Sequence, residues 1–260
     1  MDSCDHKLYH VHRFDTRTAL ETYLSSKEDM PFIEDALKYP LMKLHSIFQQ
    51  GHITGDRIYD ISLGSGIHYL YPVCEFFKEI TLLRVNETCV LELNKWLHTR
   101  TGAFDWSHTS EMMTDITGKR DQSLDPEMKL KAAMKPILKC DLHKENLADP
   151  EILPPADCVM TALLLDATSK DEDDYNRSLR KIVKLLKPGG HLILFGALNA
   201  SYYMVGEERF HAFKYDEKFV KNAFTAEGLS IDFSEVTDRE AKSNLSDYKA
   251  RLFVVAHRDK

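Results

Sequence analysis

An α/β fold built around a mostly parallel sheet is what this sequence predicts, on three observations. Strand-like and helix-like segments alternate from about residue 56 to the end of the chain. Asp157 to Leu165 is a strong strand candidate. An amphipathic helix over Tyr175 to Leu186 stops at Lys187-Pro188-Gly189-Gly190, and His191 to Phe195 then reads as a further strand. The stop has a cause: proline cannot continue a helix, and glycine tolerates the positive φ of its exit. Strands joined through helices pair in parallel by right-handed crossovers, with helices covering both faces of the sheet.

The elements follow in order. Residues 1 to about 55 read as mainly helical, with apolar side chains at three-to-four spacing in Phe32 to Leu37 and Leu41 to Phe48, and Gly51 and Gly55 marking the exit. Arg57 to Ile61 reads as a strand, followed by a glycine turn and a helix from Tyr69 to Phe77. Glu79 to Val85 is a second strand and Val90 to Leu97 a helix. Thr117 to Lys135 is charged and reads as a loop plus a helix. Lys218 to Glu227 is a helix, and Leu229 to Glu235 with Arg251 to His257 form a terminal antiparallel hairpin. One domain over 1–260 is the economical division, a helical cap at 1–55 and a core at 56–260.

The chain has 260 residues, 43% of them hydrophobic, enough for a sizeable core. A formal net charge of -7 argues against nucleic acid or an anionic membrane surface as partner, since neither attracts a net anion at long range. Arg177, Arg180, Lys181, Lys184 and Lys187 at helical spacing read as a solvated helix face. The first seven residues lack the apolar core of a signal peptide and no run of about 18 apolar residues occurs, so a cytoplasmic location is expected. Cys4, Cys74, Cys89, Cys140 and Cys158 are scattered without ligand spacing; reduced thiols and no metal site are expected.

Five tracts carry more. They are Ala103-Phe104-Asp105-Trp106-Ser107, Leu138-Lys139-Cys140-Asp141, Ala156 to Thr161, Leu185 to Gly190, and Ser201-Tyr202-Tyr203-Met204-Val205-Gly206-Glu207. In this order and at these spacings the chain resembles the nicotinamide, indolethylamine and phenylethanolamine N-methyltransferases, from about residue 14 to the C-terminus. The resemblance implies a Rossmann-like class I methyltransferase fold with a seven-stranded sheet, and methyl transfer from S-adenosylmethionine to a small amine or pyridine nitrogen.

The family's Asp-Ile-Gly-Ser-Gly-Pro turn corresponds to Asp60-Ile61-Ser62-Leu63-Gly64-Ser65-Gly66. Counted without gaps, Ser62 replaces the first glycine and Leu63 the serine. Alternatively Gly64-Ser65-Gly66 is the glycine pair on a loop two residues longer, or simply a tight turn. The acidic residue implied for the ribose hydroxyls is Arg84, a group with donors only. Two lost charge-assisted hydrogen bonds would weaken binding roughly 10²- to 10⁴-fold. Glu87 is a weak substitute, and Cys89 replaces the family's asparagine. The two cap tyrosines become Ala19 and Leu24, with Tyr23 turned about 100° from the second. Asp141, Leu142 and Thr161 match the adenosine end, although Asp141 also reads as a loop or capping aspartate.

At the substrate end the family's Asp-Ala-Leu becomes Gly196-Ala197-Leu198 and a serine becomes Ala200. Leu163, Asp166 and Tyr203 remain as pocket residues, with a strand-end aspartate and a packed tyrosine as the plainer readings. The expectation from these departures is a catalytically silent relative with a structural, storage or small-ligand-binding role. It would be impaired in S-adenosylmethionine binding, with no catalytic residue, no cofactor and a small molecule as partner; Arg84 could attract an anion in the vacated pocket. The alternative is an active S-adenosylmethionine-dependent N-methyltransferase with a rearranged pocket.

Overall fold

Neighbouring residues of the central strands point into two different cores. Ile58, Ile80, Cys158, Met160, Ile193 and Val255 face one, while Tyr59, Leu83, Val159, Leu192, Leu194 and Val254 face the other. A strand alternates its side chains between faces, so only a sheet covered on both sides can bury such unbroken apolar runs. The computed structural model describes residues 6–25, 31–118 and 125–259.

From the N-terminus the order is α1 (Thr16–Tyr23), a π-helical turn (Ile33–Lys38), α2 (Tyr39–Gln49), β1 (Gly55–Asp60), a 3-10 turn (His68–Leu70), β2 (Phe77–Arg84) and α3 (Glu87–Leu97). There follow α4 (Ser107–Thr117), α5 (Pro126–Ala133), β3 (Leu138–Lys139), β4 (Ala156–Ala162), α6 (Leu164–Thr168), α7 (Glu172–Lys184) and β5 (Leu186–Leu198). The chain closes with β6 (Tyr202–Val205), β7 (Glu208–His211), α8 (Glu217–Ala226), β8 (Leu229–Asp238) and β9 (Ala250–Arg258). Seven strands form one sheet in the order β3-β2-β1-β4-β5-β9-β8. The first five run parallel, and β9 lies antiparallel to both β5 and β8. Five of the eight described α-helices begin at a side-chain cap: Asp15, Asn86, Asp125, Asp171 and Asp216 each accept a first-turn amide. Helix α7 also carries Glu172, Asp173 and Asp174 in its first turn and Lys181 and Lys184 in its last, matching its dipole.

Several expectations are corrected. The helix expected over Tyr69 to Phe77 is a 3-10 turn and further turns, because Pro72 lacks the N–H a helix would need. The strand expected to run to Leu165 stops at Ala162, where Leu163 takes φ +58 and starts α6. Lys187 to Gly190 lies inside β5 instead of between helix and strand. The hairpin β6–β7, with Gly206 at φ +60 in its two-residue turn, was not anticipated. Lys181 is not on the solvated face. It is 5% exposed and its Nζ donates to the Leu142 carbonyl at 2.8 Å. Cys74, Cys89, Cys140 and Cys158 are buried free thiols, and Cys4 lies outside the described residues. Among the described residues no helix is long and apolar enough to cross a membrane, and no metal-ligand cluster occurs.

Candidate functional site

Strand order reverses between β1 and β4, so a crevice opens beyond their C-terminal ends, where open α/β sheets place ligands. Pairing with β4 outlasts β1: the Ile61 N–H donates to Met160 O and the Leu63 N–H to Ala162 O, at 2.8 and 2.9 Å. The turn falls at Gly64, whose φ of +69 suits a residue without Cβ. The backbone thus turns at the displaced glycine pair. Ser62 serves the strand end, donating to Asp60 Oδ1 and accepting the Ala162 N–H at 3.0 Å. Thr161 is likewise internal, its Oγ1 donating to Ile61 O at 2.8 Å.

A cavity of about 190 Å³ lies against this turn. Gly64, Ser65 and Gly66 line it together with Leu163, Asp166 and Gly196, and Tyr69 and Phe195 line it as a pair. Ala19, Tyr23 and Leu24 from α1 cover it, with Ala200 and Tyr203 at the far side. Tyr23 therefore does reach the cavity, contrary to the helical-rotation argument. Its hydroxyl donates to Met204 O at 2.7 Å and ties α1 to β6. Tyr69 stacks on Phe195 with centroids 5.3 Å apart, making a flat aromatic wall.

Two buried carboxylates line this cavity: Asp35 is ion-paired with Arg251 and accepts from the Tyr248 hydroxyl, whereas Asp166 has no cation on it among the described residues. Asp166 is 4% exposed, and burial pushes its pKa up to about 6, against the opposing pull of the Ala197 N–H and the Tyr215 hydroxyl. Both donate to Oδ1, at 2.9 and 2.8 Å. Tyr215 also explains Gly196: a Cβ there would stand 2.3 Å from the Tyr215 hydroxyl oxygen. The space beside Gly196 is filled by that phenol. His68 is buried beside Tyr69, and desolvation takes its pKa down to about 3, so the ring is neutral. Neither of its ring nitrogens, nor the Tyr203 hydroxyl, has a hydrogen-bond partner among the described residues.

Arg84 points away from both cavities. Its guanidinium pairs with Asp60 Oδ2 and donates to the Asp60, Leu83 and Gly66 carbonyls, with both side chains fully buried. It is a compensated charge, so the anion-attracting role is corrected. Glu87 faces Lys139 at 3.7 Å with its side chain 55% exposed. A second cavity of about 270 Å³ holds Asp141 and Leu142 with His10, Lys139 and His143. Asp141 Oδ1 accepts the His143 N–H at 2.8 Å, the loop role the sequence allowed for it. Between the cavities sit Arg84, Cys89 and Tyr9, a residue the sequence reading missed. Tyr9 is wholly buried, and its hydroxyl accepts the Gly64 N–H at 3.2 Å and meets Cys89 Sγ at 3.5 Å. No periodicity marks it. His68, Tyr69 and Tyr215 were missed too; for the first two, their place just after the glycine turn was the available signal.

Comparison with known proteins gives this geometry a context. The family model described as the NNMT/PNMT/TEMT family matches residues 4–259. Human nicotinamide N-methyltransferase is 35% identical over 249 residues, 96% of this chain and 94% of that protein. Rabbit (Oryctolagus cuniculus) indolethylamine N-methyltransferase is 34% identical, covering 93% and 92% of the two chains. Mouse phenylethanolamine N-methyltransferase is 34% identical over 84% of this chain and 75% of that protein. Among solved structures, an S-adenosylmethionine-dependent methyltransferase from Clostridium acetobutylicum superposes with a TM-score of 0.56 at 14% identity, covering 87% of this chain and 94% of that one. One from Methanosarcina mazei gives 0.53 at 16% identity, covering 82% and 97%. These likenesses establish the Rossmann-like class I fold.

The expectation of a catalytically silent protein without cofactor is overturned by these relatives, which are named as N-methyltransferases and match nearly the whole chain. The physical fault in that expectation is visible in the site. It counted altered motif positions as losses, Arg84 among them, whereas Arg84 is neutralised by Asp60 and the chain still makes a glycine turn, at Gly64. By sequence and by fold, the chain belongs to the NNMT/PNMT/TEMT family.

Proposed function

We propose that this protein is an S-adenosylmethionine-dependent N-methyltransferase whose acceptor is a small amine or pyridine-type nitrogen held in the cavity beside Asp166. The observation that carries this reading is a buried carboxylate with no cation on it, raised to about 6, in a cavity lined by aromatic rings at the C-terminal end of the parallel strands. The residues present fit the donor at its two ends. The Gly64-Ser65-Gly66 turn and the strained Leu163 backbone offer close main-chain approach at one, and Asp141 and Leu142 line the other. The orphaned polar atoms of His68 and Tyr203 are further groups in want of a ligand.

When bound, S-adenosylmethionine supplies an electrophilic methyl group. What the chain itself supplies is placement. Tyr69 and Phe195 pack on a flat acceptor and exclude water, and Asp166 fixes the acceptor's polar edge. Holding reactants in line removes much of a bimolecular barrier, and methyl transfer to a free lone pair needs little else. Ionised Asp166 is a stronger acceptor than its protonated form, so turnover should fall as pH drops below about 6.

The test is incubation with S-adenosylmethionine and a panel of pyridines and arylalkylamines, with methylated products read by mass spectrometry. A product from at least one nitrogen acceptor is expected. No product across the panel, together with no calorimetric binding of S-adenosylhomocysteine, would overturn the reading.

A further inference from the structure

Two cavities lie near the C-terminal ends of the strands, and one short segment of the chain touches both. Phe14 lines the first and His10 the second, so the segment between them runs across the gap. Its inward anchors are Tyr9 and Phe14, both buried. The Tyr9 ring meets Phe14 edge-on with centroids 4.8 Å apart, its hydroxyl caps the amide of Gly64, and it covers the Cys89 thiol. Gly64 is the residue on which the glycine turn pivots, so its N–H is the amide a ligand in this crevice would meet first.

The outer hold is slight. Lys7 N–H donates to Arg209 O and Lys7 O accepts the His211 N–H, at 2.9 and 2.8 Å, an isolated bridge to β7. The Lys7–Glu208 ion pair is solvent-exposed on both sides and adds little. Asn86 Nδ2 reaches Tyr9 O only at 3.4 Å. Val11, between the anchors, is 64% exposed. Two buried side chains, Tyr9 and Phe14, the Thr88 hydroxyl on Phe14 O at 3.0 Å and one isolated bridge hold the segment, a unit short enough to open locally.

We propose that residues 7–14 are an internal occupant of the cofactor crevice: Tyr9 closes its middle, and the methyl donor binds only after this segment withdraws. The inference rests on the donor reading above, and adds to it a gate. Withdrawal frees the Gly64 N–H, uncovers Cys89 and joins the two cavities. A site competent for only part of the time binds with an affinity reduced by that fraction, so weakening the plug strengthens binding.

The full chain and two variants test this. Tyr9→Phe keeps the ring and its packing but leaves the Gly64 amide without an acceptor in the closed state; Tyr9→Ala removes the plug. S-adenosylhomocysteine affinity is measured by calorimetry, and iodoacetamide alkylation of Cys89 by peptide mass spectrometry, with buried Cys158 as the internal control. Tyr9→Phe should bind about tenfold more tightly, a shift that one strained buried amide can supply. Tyr9→Ala should alkylate at Cys89 at least about tenfold faster, with Cys158 unchanged and S-adenosylhomocysteine slowing the reaction. Unchanged Cys89 reactivity alongside measurable binding, or equal or weaker binding in both variants, overturns the gate while leaving the enzyme reading standing. Fast Cys89 alkylation with no binding by any form overturns both.

Discussion

Asp60 ends β1 and Asp166 stands in the first turn after β4, at the C-terminal edge of neighbouring strands, and both carboxylates are buried. Asp60 has a guanidinium against it, a serine hydroxyl on its other oxygen and no cavity to face. Asp166 has two neutral donors, no cation, and a cavity in front of it, and burial raises its pKa to about 6. The difference teaches how to separate a structural carboxylate from a chemical one. A charge matched inside the protein has nothing left to offer a ligand, whereas one held by dipoles alone keeps an unmet demand for a partner.

The sharpest way to break the comparison is Arg84→Met, which strands Asp60 without its cation. A loss of about 3–5 kcal/mol is expected in urea unfolding at neutral pH. A small loss would mean that the pair is not what holds the strand end. Asp166→Asn should act in the opposite sense. The native carboxyl takes up its proton near pH 6 and the unfolded one near about 3.9, so between those values only the native chain holds it, and this group's contribution falls as pH rises. At pH 7 the variant should therefore gain about 2–3 kcal/mol of stability at most, and lose methyl transfer. Thermal melts at pH 4 and pH 7 check the first point, since the gain should vanish at the lower pH.

Gly196→Ala comes next, at about 1–3 kcal/mol of destabilisation, because the new methyl meets the buried Tyr215 hydroxyl. The double variant with Tyr215→Phe should recover most of it. Tyr215→Phe alone has the smallest effect on stability, about 1 kcal/mol for one hydrogen bond. Its reading is in the pH profile instead. Without that donor the Asp166 pKa rises further, and the acid limb of the activity curve moves above pH 6.

Much of the fold was legible because it is local. Helix α8 and the final antiparallel strands follow from spacing and residue type. Hairpin β6–β7 was equally available from the Gly206-Glu207 turn and was overlooked. Pro72 was read through as if a helix could pass it. The site was less legible, because its decisive contacts join residues far apart in sequence. Tyr9 meets Gly64 across 55 positions and Tyr215 meets Asp166 across 49. Arg84 stands out in the sequence, but the direction in which its side chain turns is not written in linear order. Aligned substitutions show what has been removed from a pocket and say little about what has moved in to fill it.

The sheet ends on β8, ten residues long with only Leu229 buried. An uncovered margin of that length offers its backbone groups to any second copy that can lie alongside. Here Asp232, Glu235 and Asp238 punctuate the strand, and a bulge between Ile231 and Phe233 bends it. Two such margins brought together would set acid against acid along a curved seam. Phe233 and Val236 are the large apolar side chains that this margin leaves exposed.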